Sequence, residues 1–226
     1  MKKGVLIVNL GTPDDPSVLS VQRYLRQFLR DPRVIDLPTF IRYVLVYGVI
    51  VPIRSFKSAH AYQSIWGEVD SPLRVITQQT QRALAEKLGD GYQVAYAMRY
   101  GKPAIADVVQ TLRTCQELIV IPLFPQYSSA ATGSAMACVF EALSKLWNIP
   151  KVHVLNAFYD HPGYIRAVAN VITKHLPQDN FLLFSYHGLP QRHIAKSECT
   201  QQCGQNPCPV MAQGVDYCYR RQCYVT

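Results

Sequence analysis

The sequence has 226 residues, of which 49% are hydrophobic and 17% are charged, which excludes a disordered chain and allows a large buried core. The net charge of +8 would suit an acidic small molecule, an anionic membrane or nucleic acid, but the basic residues form no run of five or more, which argues against nucleic acid. No signal-peptide pattern follows Met1, and no apolar run reaches the roughly 18 to 20 residues that a bilayer needs, so we predict a cytoplasmic protein.

Strand and helix patterns alternate from the start of the chain. Gly4–Leu10 is a β-branched apolar run, which predicts a strand that ends in the tight turn Gly11–Pro13. Ser17–Leu29 has apolar residues at helical spacing and is stopped by Asp31–Pro32, and Pro72–Leu88 is a further predicted helix. No glycine-rich phosphate-binding motif follows the first strand, so dinucleotide and P-loop binding are not indicated.

The stretch Leu37–Ile53 is unusually rich in aromatic and β-branched residues and has Arg42 and Arg54 beside its apolar part. It is too short to span a bilayer, but it could lie on a membrane surface or line an apolar cleft. A plain buried helix explains the same composition, and the sequence leaves the two interpretations open.

The second half of the chain continues the alternation of strands and helices. The predicted strands are Tyr92–Met98, Leu118–Leu123, Val152–Ala157 and Phe181–Phe184, and the predicted helices are Pro103–Leu112, Ala135–Leu146 and His161–His175. This alternation is typical of an α/β protein with a doubly wound parallel sheet, a Rossmann-like three-layer sandwich.

Two segments follow predicted strands at the edge where open parallel sheets bind ligands. The loop Phe124–Ser134 is dense in hydroxyls and small residues, which can offer hydroxyl and main-chain N–H groups to a carboxylate, although a helix N-cap would use the same residues. His187 follows the predicted strand Phe181–Phe184, where an imidazole could take a proton or bind a metal. A histidine at a strand end can also be purely structural.

The segment Leu183–Pro190, LFSYHGLP, resembles the signature of the ferrochelatase family, whose members insert Fe(II) into a porphyrin to make haem. Val8–Pro13, Met98–Tyr100, Pro125–Ser128 and Thr132–Ser134 are similar to further family segments and occur in the family's order. Because the signature and these further matches occur together in the family's order, the chain is identified as a member of this family.

The resemblance implies a class II chelatase fold built from two similar Rossmann-like domains. It places the first domain, with the lip of the porphyrin pocket, over residues 1–176 and the start of a second, incomplete domain over residues 177–226. It also implies that the family's catalytic glutamate lies beyond Thr226.

The resemblance also implies roles for individual residues. The family's invariant histidine, which binds the metal or takes the pyrrole protons, falls on His187. Its porphyrin contacts and pocket-lining positions fall on Arg54, Tyr62, Ser71, Arg99, Tyr100, Tyr127 and Ser128. Leu10 stands where members that use coproporphyrin often carry tyrosine, which favours protoporphyrin IX. Leu37–Ile53 matches the pocket lip, which contacts the bilayer in membrane-associated members, so peripheral contact with the cytoplasmic membrane is expected.

Five of the seven cysteines lie between Cys199 and Cys223, which indicates zinc or an iron–sulfur centre rather than magnesium or calcium. Their spacing fits no zinc-finger pattern, and a set of free thiols remains an alternative. Some microbial ferrochelatases carry a [2Fe-2S] cluster on an insert that ends like Cys218–Cys223. That resemblance implies Cys203, Cys208, Cys218 and Cys223 as ligands, with Cys199 as the alternate to Cys203.

We therefore predict an enzyme that inserts Fe(II) into protoporphyrin IX in haem biosynthesis. Porphyrin and ferrous iron are the expected partners, and Fe(II) is a substrate, whereas the [2Fe-2S] cluster would be a cofactor. The alternatives are a chelatase for coproporphyrin, cobalt or nickel, and a non-catalytic porphyrin- or haem-binding protein. The sequence does not predict an oligomeric state.

Overall fold

The computed structural model describes residues 2–176, 181–197 and 218–226. Its central element is a four-stranded sheet whose neighbouring strands are all parallel. The strands are β1 (Lys3–Gly11), β2 (Tyr92–Tyr100), β3 (Glu117–Pro122) and β4 (Lys151–Val154), in the spatial order β2-β1-β3-β4. The parallel sheet and its flanking helices confirm the predicted three-layer α/β fold.

Strand β1 lies in the middle of this sheet because it pairs with β2 on one side and β3 on the other. Its residues Val5–Val8 are buried, with Leu6 and Val8 fully inaccessible to solvent. A strand covered on both faces needs an unbroken apolar run, which explains why β1 shows no polar alternation. The chain crosses from β2 to β3 over β1, so the strand order reverses between β1 and β3, and α/β sheets bind their ligands beyond the carboxyl ends of the strands at such a point.

Nine α-helices and two short π-helical turns occur within the described ranges. The helices are α1 (Val18–Leu29), α2 (Thr39–Val44), α3 (Val51–Ile65), α4 (Pro72–Leu88), α5 (Ile105–Thr111), α6 (Ser134–Leu143), α7 (Pro162–His175), α8 (Gln191–Ala195) and α9 (Tyr219–Val225). The π-helical turns are Leu45–Ile50 and Ser129–Gly133. The predicted helix starts at Ser17 and Pro72 are confirmed, since the hydroxyls of Ser17 and Ser71 cap α1 and α4.

The chain divides into two compact units. The first unit comprises Met1–Leu123 with Ala130–Asn156, and the second comprises Phe124–Ser129 with Ala157–Thr226. The four-stranded sheet belongs entirely to the first unit. The chelatase domain boundary after residue 176 stays a prediction.

The prediction of a buried strand at Phe181–Phe184 is wrong. The segment has no regular secondary structure, and Phe181 is 90% exposed. An apolar run becomes a central strand only where strands on both sides take its backbone hydrogen bonds. Among the described residues, no strand pairs with this segment.

The prediction for Leu37–Ile53 is wrong in length. Helix α2, the turn Leu45–Ile50 and α3 join into one continuous helix, Thr39–Ile65, of 27 residues. Only 22% of the most apolar stretch of this long helix is buried. By length and composition alone the helix is long enough to cross a membrane, and its exposed apolar surface is not that of a plain buried helix.

Candidate active site

The carboxyl ends of β1 and β2 approach each other unusually closely. Gly11 has φ +113°, and a Cβ atom there would lie 1.7 Å from the Tyr100 carbonyl oxygen. Gly101 has φ +86°, and its Cβ would lie 2.5 Å from the Thr12 carbonyl oxygen. Only glycine fits at both positions, because neither the backbone conformation nor the space accepts a side chain. These glycines hold the end of β2, with Arg99 and Tyr100, against the end of β1.

A buried carboxylate, Asp31, joins the end of α1 to this edge of the sheet. Its side chain is 3% exposed. The Arg99 Nη2 donates to Asp31 Oδ2 at 2.6 Å, the Tyr100 hydroxyl donates to the same oxygen at 2.9 Å, and the Ser134 hydroxyl donates to it as well. The backbone N–H of Arg33 donates to the other oxygen at 2.7 Å. The buried charge is therefore fully paired, which its desolvation requires.

The surroundings of Asp31 keep it ionised. Burial alone would raise the pKa of Asp31, but the hydrogen bonds from Ser134, Arg33 and Tyr100, together with the Arg99 charge, hold that pKa below its usual value. Burial raises the pKa of Tyr100, so that the phenol stays protonated and acts as a donor. The pair is thus fixed as an anion and a neutral donor around neutral pH.

Three contacts fix the guanidinium of Arg99. Besides its ion pair with Asp31, the Nε donates to Ser134 Oγ at 2.7 Å, and the Cζ lies 4.5 Å from the centroid of the Tyr100 ring. The side chain is still 19% exposed and borders an open cleft of about 540 Å³ beside α1. Arg99 is the one predicted porphyrin contact that combines a rigid cationic head with access to this cleft, which suits the recognition of a carboxylate.

Three further predicted contacts lie on the long helix and at the start of α4. Arg54 is exposed on α3. Tyr62 is half-buried, with its ring edge-on to the rings of Tyr24 and Trp66 at centroid distances of 6.2 Å. Ser71 is buried, and its hydroxyl accepts from the Arg74 N–H at 3.3 Å. Its hydroxyl is therefore engaged in capping α4.

The remaining predicted site residues belong to the second unit. The Tyr127 N–H donates to the side-chain oxygen of Gln222 at 2.6 Å, and Ser128 is buried. His187 is exposed in a segment without regular structure. The structure thus groups Arg99 with Tyr100 in the first unit, and it places His187 at a solvent-accessible position of the second.

A family model described as Ferrochelatase matches residues 2–226 of the chain. The chain belongs to the ferrochelatase family. Similar curated proteins include the ferrochelatase of Legionella pneumophila strain Paris, 47% identical over 226 residues, and that of Coxiella burnetii strain CbuG_Q212, 44% identical over 231 residues. The matches cover 100% of this chain but 68% and 64% of those two relatives, respectively. These findings confirm the resemblance and support a ferrochelatase function in haem biosynthesis rather than the alternatives.

Two of the predicted cluster cysteines are described, and Cys199, Cys203 and Cys208 lie outside the described residues. Cys218 is buried just before α9, Cys223 lies on that helix, and both are free thiols. Burial raises the pKa of Cys223; a hydrogen bond from Tyr219 opposes this, and the charge of Cys218 adds to it. In residues 2–176, 181–197 and 218–226, no three His, Cys, Asp or Glu side chains come together as a metal site.

Sequence reasoning missed Asp31, because it interpreted Asp31–Pro32 only as a helix stop. It placed Ser134 in a loop that could offer hydroxyls to a carboxylate, but it did not identify the Asp31 side chain as that carboxylate. An acidic residue next to a proline at a helix end is common in turns, so it carried no signal of its own. The one available signal was Arg99 itself, since an arginine that becomes mostly buried needs a counter-ion.

Proposed function

We propose that this protein inserts Fe(II) into protoporphyrin IX, releasing the two pyrrole N–H protons as the metal enters the ring. The observation that carries the proposal is the match of the ferrochelatase family model over residues 2–226, which includes the signature segment around His187. The proposal assigns the porphyrin's carboxylates to Arg54 and Arg99, and it keeps Ser71, Tyr127 and Ser128 as positions that match the family's porphyrin pocket. His187 takes pyrrole protons or receives the metal, since an imidazole can do either near neutral pH.

The geometry supports different roles for the predicted contacts. Arg54 is exposed and Arg99 is partly exposed, so both can meet a carboxylate directly. Tyr100 is fully buried and donates to Asp31, so it acts on the substrate through Asp31 and Arg99. Tyr62 offers an aromatic surface that suits a large flat ring.

We expect the change Arg54→Ala to weaken protoporphyrin binding by about tenfold, because it removes a charge-assisted hydrogen bond to a propionate. The binding constant is measured by titrating the porphyrin's Soret absorbance with protein. Arg82→Ala, an exposed arginine on α4, is the control and should bind normally. Equal affinity for the parent and the Arg54 variant would remove this residue from the site.

Leu10 supports protoporphyrin IX as the substrate. It lies near the end of β1, one residue before the close approach at Gly11, and it offers no hydroxyl to a further carboxylate. Protoporphyrin has two carboxylates and coproporphyrin has four, so the less polar residue suits the less charged ring. Competition between the two porphyrins in the titration tests this preference.

We also propose a cytoplasmic location with the long helix, Thr39–Ile65, lying on the membrane surface. Its apolar residues Phe40, Ile41, Val44 and Ile53 are exposed to solvent, with Phe40 at 79%. An amphipathic helix with such a face binds at the boundary between lipid headgroups and acyl chains. A membrane-soluble porphyrin could then be taken directly from the bilayer.

The double change Phe40→Ser and Val44→Ser should lower the affinity for lipid vesicles by about tenfold or more, because two exposed apolar side chains no longer enter the interface. Co-sedimentation with phosphatidylcholine vesicles measures it. Val69→Ser with Ile76→Ser is the matched control, since both residues are exposed outside the long helix. If both double variants bind the vesicles as tightly as the parent does, the long helix does not contact the membrane.

We further propose a [2Fe-2S] cluster held by Cys203, Cys208, Cys218 and Cys223, with Cys199 as the alternate to Cys203. One observation supports the described half of this set: neither Cys218 nor Cys223 is in a disulfide. Neighbouring thiolates repel unless a cation neutralises them, and four thiolates are the usual ligands of such a cluster. The cluster would supply redox or structural chemistry; the insertion step is assigned to His187.

Protein purified without oxygen should be red-brown and contain about two iron and two sulfide ions per chain. Changing Cys218 or Cys223 to Ser should bleach it, whereas Cys115→Ser, at a buried thiol in the first unit, should not. Iron and sulfide analysis with the visible spectrum measures the outcome. Stoichiometric zinc without sulfide would mean a zinc site instead of the cluster. If the protein contains neither metal, the cysteines are free thiols.

A further inference from the structure

An arginine–tyrosine cluster lines the cleft beside Arg99. The Arg26 Cζ lies 5.8 Å from the centroid of the Tyr47 ring, and the Arg30 Cζ lies 4.9 Å from that of Tyr43. Arg30 also donates to the Tyr43 hydroxyl at 2.6 Å and to the Tyr47 hydroxyl at 3.4 Å. These contacts orient the cationic groups of α1 towards the long helix without neutralising them.

Two arginines of this cleft have a buried donor that is not used. Arg42 is buried, and its Nη1 donates to the Leu37 carbonyl oxygen at 2.7 Å, but its Nε has no hydrogen-bond partner among the described residues. The Nε of Arg26 is likewise buried and unpaired in that part of the chain. Both Nε atoms are enclosed by protein, so they show that these two guanidinium groups are incompletely paired, while other parts of both arginines line the cleft.

The charge in the cleft is strongly unbalanced. Five guanidinium groups line it, from Arg23, Arg26, Arg30, Arg42 and Arg99. The carboxylate of Asp31 is the one acidic group in this lining, and it already accepts hydrogen bonds from Arg99, Tyr100, Ser134 and the Arg33 N–H. An anion with several oxygens would offset the excess charge, and guanidinium groups bind such anions well.

The cleft borders the exposed apolar residues of the long helix, Thr39–Ile65. Tyr43 and Tyr47, which contact the arginines, are four residues apart and so lie on one side of the helix. Phe40 and Val44 have the same spacing on the adjoining side and are exposed. A ligand with an anionic head and apolar chains would therefore meet matching groups on both sides of the cleft rim.

We propose that this cleft binds the phosphate headgroup of an anionic membrane lipid whose acyl chains lie against Phe40 and Val44. The inference rests on the proposed membrane contact of the long helix and adds to it a specific headgroup site. The proposed function leaves the porphyrin's carboxylate with Arg99, and this inference assigns the lipid phosphate to the other arginines of the lining, Arg23, Arg26, Arg30 and Arg42.

The test compares the protein's affinity for phosphatidylcholine vesicles with that for vesicles containing phosphatidylglycerol. Vesicles that contain phosphatidylglycerol should bind the parent more tightly, and the double change Arg26→Gln and Arg30→Gln should reduce that gain by about thirtyfold, since each arginine near an anionic surface contributes about fivefold. Arg82→Gln with Arg113→Gln removes the same charge at exposed sites elsewhere in the first unit and should change that gain by less than about threefold. Urea unfolding checks that both doubles fold.

The outcomes separate this site from the membrane contact. Loss of phosphatidylglycerol preference in the Arg26/Arg30 double, with phosphatidylcholine binding kept, supports the site. Equal losses in both doubles would overturn it in favour of general surface charge. Tight binding of inorganic phosphate that abolishes the phosphatidylglycerol preference of the parent would assign the cleft to a free anion, and a fall in protoporphyrin affinity alone would assign it to the substrate. If the parent binds neither vesicle, the membrane contact itself fails.

Discussion

Replacing His187 with Ala is expected to lower the rate of iron insertion by about 10²- to 10⁴-fold, the usual contribution of a positioned proton-transfer group. Protoporphyrin affinity should change little, because the proposed propionate contacts are elsewhere. The rate of haem formation from Fe(II) and protoporphyrin IX under anaerobic conditions measures the effect. The assay uses the chain extended to the full length of its relatives, since the matches cover 68% and 64% of them.

His175 provides the matched control for this change. It is an exposed histidine at the end of α7 in the same unit, and His175→Ala should insert iron at the parent rate. Because His187 is exposed and outside any helix or strand, its replacement should leave the urea midpoint unchanged. Insertion by His187→Ala within a few-fold of the parent would show that another group takes the pyrrole protons.

The second large effect is expected at Asp31. The change Asp31→Ala should lower the free energy of unfolding by about 3 kcal/mol or more, because it leaves the Arg99 guanidinium in a partly buried position without its counter-ion. The hydroxyls of Tyr100 and Ser134 lose their acceptor as well. Urea unfolding at neutral pH measures the loss, and Asp14→Ala, an exposed carboxylate, should change stability by less than about 0.5 kcal/mol.

A double-mutant cycle shows whether the loss comes from the ion pair. Because the unpaired guanidinium is the main cost, Arg99→Met combined with Asp31→Ala should be less destabilising than the sum of the two single changes. Additive losses would mean that Asp31 and Arg99 do not interact, which would contradict their 2.6 Å contact.

The pH dependence of this stabilisation follows from the pKa of Asp31. The pKa is lowered in the folded state, so the carboxylate's contribution is complete above its unfolded value of about 3.9 and is lost as the pH falls through the folded value. The stability difference between the parent and Asp31→Ala should therefore be constant around neutrality and shrink below about pH 4. A difference that instead shrinks as the pH rises from 5 to 8 would point to a titrating histidine or cysteine.

The sequence predicted the sheet well where the signal is local. Gly4–Leu10 lies in β1 because a β-branched apolar run favours a strand, and here the strands on both sides bury it. The same reasoning was wrong for Phe181–Phe184, where the residues are equally apolar. The difference is the presence of paired strands, which depends on distant parts of the chain and not on the run itself.

The hydrogen bonds around Asp31 could not be predicted from the sequence, because they also depend on distant parts of the chain. Its partners are far away in the chain: Arg99 is 68 residues from Asp31, and Ser134 is 103 residues from it. The family resemblance identified both Arg99 and Tyr100 as pocket residues, but it assigned the same role to both. Their burial separates them, since Arg99 reaches the cleft and Tyr100 does not.

The most direct test of the proposed function follows protoporphyrin fluorescence and the haem absorbance together while the extended protein is mixed with Fe(II) without oxygen. We expect porphyrin fluorescence to disappear with turnover and haem to appear in equal amount, with iron used in preference to cobalt or nickel. Porphyrin that binds but is never converted to haem would contradict it and establish a porphyrin-binding protein instead.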